Sequence, residues 1–317
     1  MYRQIFAAFL LMIALLENAS SESRRPGVKV TLEAEITVTN DTNSPLNGYV
    51  HRIAAPVGDH MQQKLLGIRH DDVSEFERKS FKHEAGDYVE LEWDIPANSK
   101  STRKVYFDLL VKSYEISDGQ MSGQTMSPGR DFQREEPDSI YLQPAEYIES
   151  DNDQILKLAH HIQRTYSDPE AQLRAAFLTP QQMIQYRRQS TRGALYAVSA
   201  RQGDCTEYAA LFVALARAMG FPARMTSEFL FTEHHTFSQP NHHAAEVYFN
   251  GHWVPVDANL ALDPKFGYGF GSGAHSKIVL NRNSVWVWSN LWPRGTSKRP
   301  GSVDVGMQWK IYDMRRD

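Results

Sequence analysis

The segment 204–222, DCTEYAALFVALARAMGFP, constrains the fold more than any other part of the chain. From Cys205 to Met219 no helix breaker interrupts it. Tyr208, Leu211, Phe212, Leu215 and Met219 recur at helical spacing, and Ala209, Val213, Ala216 and Ala218 fill most of the other positions. A helix that is apolar on nearly every side has to be buried in a domain core. Asp204 is placed to cap its start, and Glu207, three residues on, is placed as the partner in a capping box. Gly220 suits the position after the helix, and Pro222 blocks any continuation.

The cap puts Cys205, the only cysteine of the chain, at the first helical position. Backbone N–H groups and the positive end of the helix dipole there favour negative charge on sulfur. The same amides are placed to donate to a developing oxyanion. Gly203 is expected to leave the backbone uncrowded for an incoming carbonyl. Taken alone, the helix fits a plain buried cysteine as well as a nucleophile. A catalytic reading needs a base.

The base is sought in NHHAAEVYFNGHWVPVDANL, residues 241–260. Asn250-Gly251 between two β-rich runs is a strong hairpin signal. A two-residue loop sets Phe249 opposite His252, Val247 opposite Val254, Glu246 opposite Pro255 and Ala244 opposite Asp257. Pairs alternate between bonded and non-bonded, and Glu246–Pro255 falls on a non-bonded one, so the missing proline N–H costs the ladder nothing. The period of two then places His242, Ala244, Glu246 and Asp257 on one face. His242 and Asp257 become diagonal neighbours, roughly 7–8 Å apart at the backbone. His243 points the other way, unless a β-bulge reverses the two.

A metal site is the competing chemistry, because Glu233, His234, His235, His242, His243 and His252 are dense here. Adjacent histidines on a strand face opposite ways, and no helical His-x-x-x-His spacing occurs. No metal and no cofactor is expected. A histidine that is merely hydrogen-bonded in the core is the other alternative.

A chain of 317 residues fits two domains. Residues 28–116 read as short strands between turn clusters, a β-sandwich. Val28, Val30, Leu32, Ala34, Ile36 and Val38 alternate onto one face of the first strand. His51, His60, His70 and His83 are scattered and read as surface residues. Residues 117–145 read as a linker, polar and rich in Gly and Ser over 117–139. Residues 146–317 form the second domain. Helices are expected from Asp151 or Asn152 and over 168–189, the latter interrupted at Pro180. FGYGFGSGAHSK, residues 266–277, reads as a flexible lid or plain turn, and SVWVWSNLW, 284–292, as a strand.

Net charge of −4 argues against a nucleic-acid binder that works by bulk charge. Arg3 followed by an apolar run from Ile5 to Leu16 is shorter than the ~20 residues a bilayer needs. Residues 1–23 therefore read as a secretory signal peptide. The mature chain is expected to be exported, periplasmic or extracellular, without stable membrane insertion. A lone cysteine cannot form an internal disulfide, so in an oxidising compartment it is buried or used.

These motifs resemble the transglutaminase-like superfamily of papain-like cysteine enzymes. Gly203, Cys205, Arg217, Gly220, Pro222, Arg224, His242, Glu246, Trp253 and Asp257 fill that family's places over roughly 155–262. The resemblance implies an α+β, papain/transglutaminase-like domain, with the cysteine on a buried helix packed on an antiparallel sheet, preceded by an all-β sandwich. It implies Cys205, His242 and Asp257 as a triad, with Gly203, Asp204 and Glu246 in support. The family's usual His-Ala-Trp becomes His242-His243-Ala244, and Asp-Pro-Thr becomes Asp257-Ala258-Asn259. Acyl transfer on a protein or peptide substrate follows, with hydrolysis favoured over cross-linking. A catalytically idle scaffold domain is the alternative.

Overall fold

The structure is a computed structural model that describes residues 27–58, 60–71, 77–80, 86–116, 137–231, 236–283 and 303–316. The expected signal peptide, residues 117–136 of the linker, His83, Glu233, His234, His235 and the tryptophan-rich segment 284–292 lie outside them.

The first half is built from strands β1 (Val28–Asn40), β2 (Leu46–Ala55), β3 (Gln63–His70), β4 (Glu77–Ser80), β5 (Asp87–Ile95), β6 (Ser99–Val111) and β7 (Tyr114–Glu115). The alternating apolar residues of β1 are all buried, so period two decides which face becomes core. Two sheets pack together. One carries β3, β6 and β1 side by side, and the other has the order β2-β5-β4. Ile36 and Phe107 from one meet Ile53, Val89 and Leu91 from the other in a shared core.

The second half begins with helices α1 (Asp153–Thr165) and α2 (Pro169–Met183). Asn152 caps α1 through its side chain. Helix α2 runs through Pro180 to Met183, so the proline does not interrupt it where expected. Next come β8 (Gln185–Tyr186), α3 (Gly193–Ala200), β9 (Gln202–Gly203) and α4 (Cys205–Ala218). The remaining strands are β10 (Ala223–Leu230), β11 (Thr236–Phe237), β12 (His242–Phe249), β13 (His252–Val256), β14 (Ser272–Gly273), β15 (Lys277–Asn283) and β16 (Val303–Arg316).

Helix α4 is the buried centre its sequence requires, with Leu211, Phe212, Val213 and Leu215 fully enclosed. Helices α1, α2 and α3 cover it, and so do Ala245, Val247, Val254 and Val256 of a four-stranded antiparallel sheet ordered β13-β12-β10-β15. Burying each such aliphatic side chain stabilises by about 1.5–3 kcal/mol, which makes this apolar layer the main anchor of the domain.

The two halves are joined at several places. Strand β16 pairs along β1 from Val28 to Asn40, so the end of the chain completes the first sheet. Phe229, Ile278 and Leu280 of the four-stranded sheet share the sandwich core with Trp309. The segment 57–63 clips onto β15: Val57 N–H donates to Val279 O at 3.0 Å, and Gln63 makes hydrogen bonds of 2.7 and 2.8 Å to both backbone groups of Val279.

The glycine-rich stretch after β13 is tied down rather than free. Its β14 pairs with β7, Gly271 N–H donates to Pro255 O, and Asp257 N–H donates to Gly269 O. A Cβ on Gly273 would sit 2.4 Å from the Tyr114 ring, which explains a glycine there. Among the described residues no helix is long and apolar enough to cross a membrane.

Candidate active site

Helix α4 starts at Cys205, with Asp204 as its cap. The Asp204 carboxylate accepts from Thr206 N–H at 3.0 Å and completes a capping box, while Glu207 accepts from Asp204 N–H, also at 3.0 Å. Glu207 reaches back over Gly203, where a Cβ would lie 2.3 Å from the Glu207 Cβ. A side chain at position 203 would collide with Glu207, which explains the glycine there. Asp204 likewise engages the Thr206 and Glu207 amides, which leaves the Cys205 amide as the first-turn donor beside the sulfur. The cap therefore fixes the helix start and narrows the expected group of oxyanion donors. Cys205 itself is half-buried, reachable from solvent. Tyr186 of β8 pairs with Gly203, and the residue is 55% exposed within electrostatic reach of the thiol.

The hairpin has the register its loop dictates. Phe249 faces His252, Glu246 faces Pro255 and Ala245 faces Val256, without a bulge. Asn250 and Gly251 both take positive φ, 50° and 86°, as a type I′ loop requires. Pro255, with no N–H to give, offers its carbonyl to Gly271 instead. His242 Nε2 lies 2.8 Å from Asp257 Oδ2. The other oxygen, Oδ1, accepts from Leu260 N–H at 2.8 Å, so the carboxylate is held at both ends. With Nε2 committed to Asp257, Nδ1 is the ring nitrogen left for a second partner.

Two adjacent histidines are driven in opposite directions. Burial lowers the His242 pKa, but the charge and hydrogen bond of Asp257, followed by the Cys205 thiol, raise it to about 10. Burial and the charge of His242 push His243 down to about 4, and its Nδ1 lies 3.2 Å from the Thr226 carbonyl. Burial pushes Asp257 up, yet Lys277 and His242 outweigh it and hold the carboxyl well below the usual range. Of the two histidines, His242 is the one that meets both the thiol and the carboxylate.

Glu246 is buried in its own ion network. It lies 2.7 Å from Arg224, 3.1 Å from Arg282 and 3.3 Å from His60. The Arg224 guanidinium stacks 3.6 Å from the centre of the Trp253 ring. These ion pairs tie Glu246 to β10, to β15 and to the first half of the chain. His60 and His51 are both buried, against the expectation of surface histidines. Arg217 spans the end of α4, donating to the carbonyls of Ala223 and Gln143.

Sequence reasoning missed Lys277 and Glu228. The Lys277 ammonium lies 2.9 Å from Asp257 Oδ2 and 2.7 Å from Glu228 Oε2, and all three are buried. Glu228, His242 and Asp257 each offer a ligand atom within 4.8 Å of one another, a spacing that could hold a cation. The ammonium already bridges the two carboxylates and supplies the positive charge there.

The family model of the transglutaminase-like superfamily matches residues 156–258. No curated protein matches the chain significantly. Among solved structures, a candidate cysteine protease from Cytophaga hutchinsonii is 18% identical, with 92% of this chain and 90% of that chain covered and a TM-score of 0.53. The periplasmic domain of TgpA from Pseudomonas aeruginosa is 12% identical, covers 78% of this chain and 95% of its own, and has a TM-score of 0.32. A candidate protease from Parabacteroides distasonis is 12% identical, with 80% and 48% covered and a TM-score of 0.30. The first likeness shows a common fold across nearly all of both chains.

Proposed function

We propose that the chain, whose residues 156–258 match the family model of the transglutaminase-like superfamily, is a thiol enzyme performing acyl transfer on peptide or carboxamide carbonyls. The observation that carries the reading is the His242 Nε2–Asp257 contact of 2.8 Å, with Cys205 at a helix start beside the same ring.

In the proposed cycle Cys205 attacks as thiolate while His242 is imidazolium. A C–S bond forms and the carbonyl electrons move to oxygen. We assign the Cys205 amide as a donor to that oxyanion. On collapse the C–N bond breaks, and His242 passes its proton to the departing amine. Water then attacks the thioester, with the imidazole taking its proton, and the acid leaves as the thiolate–imidazolium pair re-forms. Asp257 holds the ring in one orientation and stabilises its cation, as the carboxylate of a catalytic triad does. We favour water as acceptor, which makes the enzyme a protease or amidase. A lysine amine as acceptor would make the same thioester a cross-linking intermediate.

We further propose that residues 1–23 export the chain and that it works outside the cytoplasm, on the strength of Arg3 and the apolar run Ile5–Leu16. The division into a sandwich at 28–116, a linker at 117–145 and a catalytic domain at 146–317 belongs to the same proposal.

Peptide-library cleavage by the mature protein and Cys205→Ala, with and without added primary amines, tests the reading. Products released only by the cysteine form support it, and amine adducts reassign the acceptor. Equal product from both forms sinks it.

A further inference from the structure

Lys277 opens β15 and is 3% exposed. Strand register explains its place. Lys277 faces Leu230 on β10, two residues from Glu228, and Glu228 faces His242 on β12. The period of two puts Lys277, Glu228, His242 and Asp257 on a common face. Lys277 and His242 Nε2 approach the same Asp257 oxygen, at 2.9 and 2.8 Å. Glu228 is steadied from the other side, its Oε1 accepting from the Thr226 hydroxyl at 2.7 Å. The ammonium also lies 4.2 Å from the centre of the Tyr268 ring.

We propose that Lys277 is a positioning residue of the Cys205 site: it keeps Asp257 a carboxylate aimed at His242, and the β-sandwich holds the strand that carries it. The inference rests on the reading of Cys205, His242 and Asp257 given above. The last link is the clip at 57–63. Gln62 donates to the Lys277 carbonyl at 2.8 Å, and Gln63 grips Val279 two residues on.

Charge counting gives the mechanism. On the acid limb, with Cys205 still a thiol, two carboxylates, one ammonium and one imidazolium sum to zero in the buried cluster. Remove the ammonium, and two carboxylates share the site with a single cation. Buried like charges force one of them to take up a proton at higher pH. The proton then competes with the imidazole for Asp257. The other groups facing Lys277 are Tyr268 and Tyr114, and burial raises the pKa of both, so neither supplies a compensating charge. The groups facing His242 are Asp257, Cys205 and the neutral His243. Burial pulls Lys277 toward neutrality, but Asp257 and Glu228 outweigh it and hold its pKa well above the ordinary lysine value.

An inert ion-pair staple and a positioning lysine differ in the pH profile. The readout is the rate of Cys205 alkylation by iodoacetamide from pH 4 to 9 on the full chain, with thermal melts alongside. Lys277→Met leaves surplus negative charge, and its acid limb should move up by about one pH unit, a roughly tenfold loss of rate on that limb. Glu228→Gln leaves surplus positive charge, and its limb should move down. It keeps the lysine paired with Asp257, so it remains informative if Lys277→Met does not fold. Opposite shifts support the proposal. A folded variant of either kind with an unmoved limb overturns it, whatever its melting temperature. If His242→Ala alkylates at the wild-type rate throughout, the reading of the triad fails rather than the role of Lys277.

Discussion

The interior around α4 and the ionic cluster beside β12 are equally dry and chemically opposite. Around the helix, Leu211, Phe212, Val213 and Leu215 pack within one apolar cluster, and any well-filling hydrophobic arrangement would serve. In the cluster, Arg224, Glu228, His242, Glu246, Asp257 and Lys277 are buried at 3% exposure or less, and each depends on a particular partner. Burying charge costs more than its pairing returns unless the geometry is good, so such a cluster is weak support for stability. The contrast teaches a division of labour. The apolar layer holds the fold, and the ionic layer holds the orientation of a few side chains.

The largest effect is expected where the ionic layer is broken. Glu246→Leu leaves Arg224 and Arg282 buried without their shared carboxylate. Unfolding stability should fall by about 3–5 kcal/mol, read from urea denaturation. A loss below about 1 kcal/mol would mean that water reaches the guanidiniums and that this layer is not dry.

The apolar layer should respond by volume rather than by identity. Leu211→Ala is expected to cost about 2–5 kcal/mol, and Leu211→Met, which conserves volume, less than about 1.5 kcal/mol. Equal losses for the two would show that α4 is held by shape as specific as the ionic layer.

A smaller effect belongs to the helix start, where the two layers meet. Asp204→Ala removes the cap and should cost about 1 kcal/mol. It also frees the Thr206 and Glu207 amides next to the sulfur, so its influence on turnover should exceed its influence on stability. Proportionate losses in both would assign Asp204 to the fold alone.

What could be read from the sequence was what is local. Helix α4, its capping box and the hairpin register all follow from signals a few residues apart. The meeting of His242 with Asp257 depended only on that register, 15 residues from end to end. Lys277 and Glu228 were illegible for the opposite reason. Their positions depend on β10 pairing with β15, a ladder that slips register between Ser227 and Glu228. The alternation of Arg224, Thr226 and Glu228 along β10 was a visible sign of a polar buried face, but nothing local says what stands opposite. His60 was misread because its partner, Glu246, lies in the other half of the chain. The pairing of β16 with β1 has no local signal either.

The adjacent histidines offer the most direct test. Only His242 joins the thiol to the carboxylate, and its pKa near 10 keeps the imidazolium through the neutral range, to be lost as pH rises through that value. His243, pushed down to about 4, is neutral there. The measurement is the alkylation rate of Cys205 at pH 6 in the wild type, His242→Ala and His243→Ala. The account predicts at least a tenfold fall for His242→Ala, of the order that one pKa unit of lost pairing gives, and a wild-type rate for His243→Ala. A wild-type rate in His242→Ala, or a loss confined to His243→Ala, would contradict it.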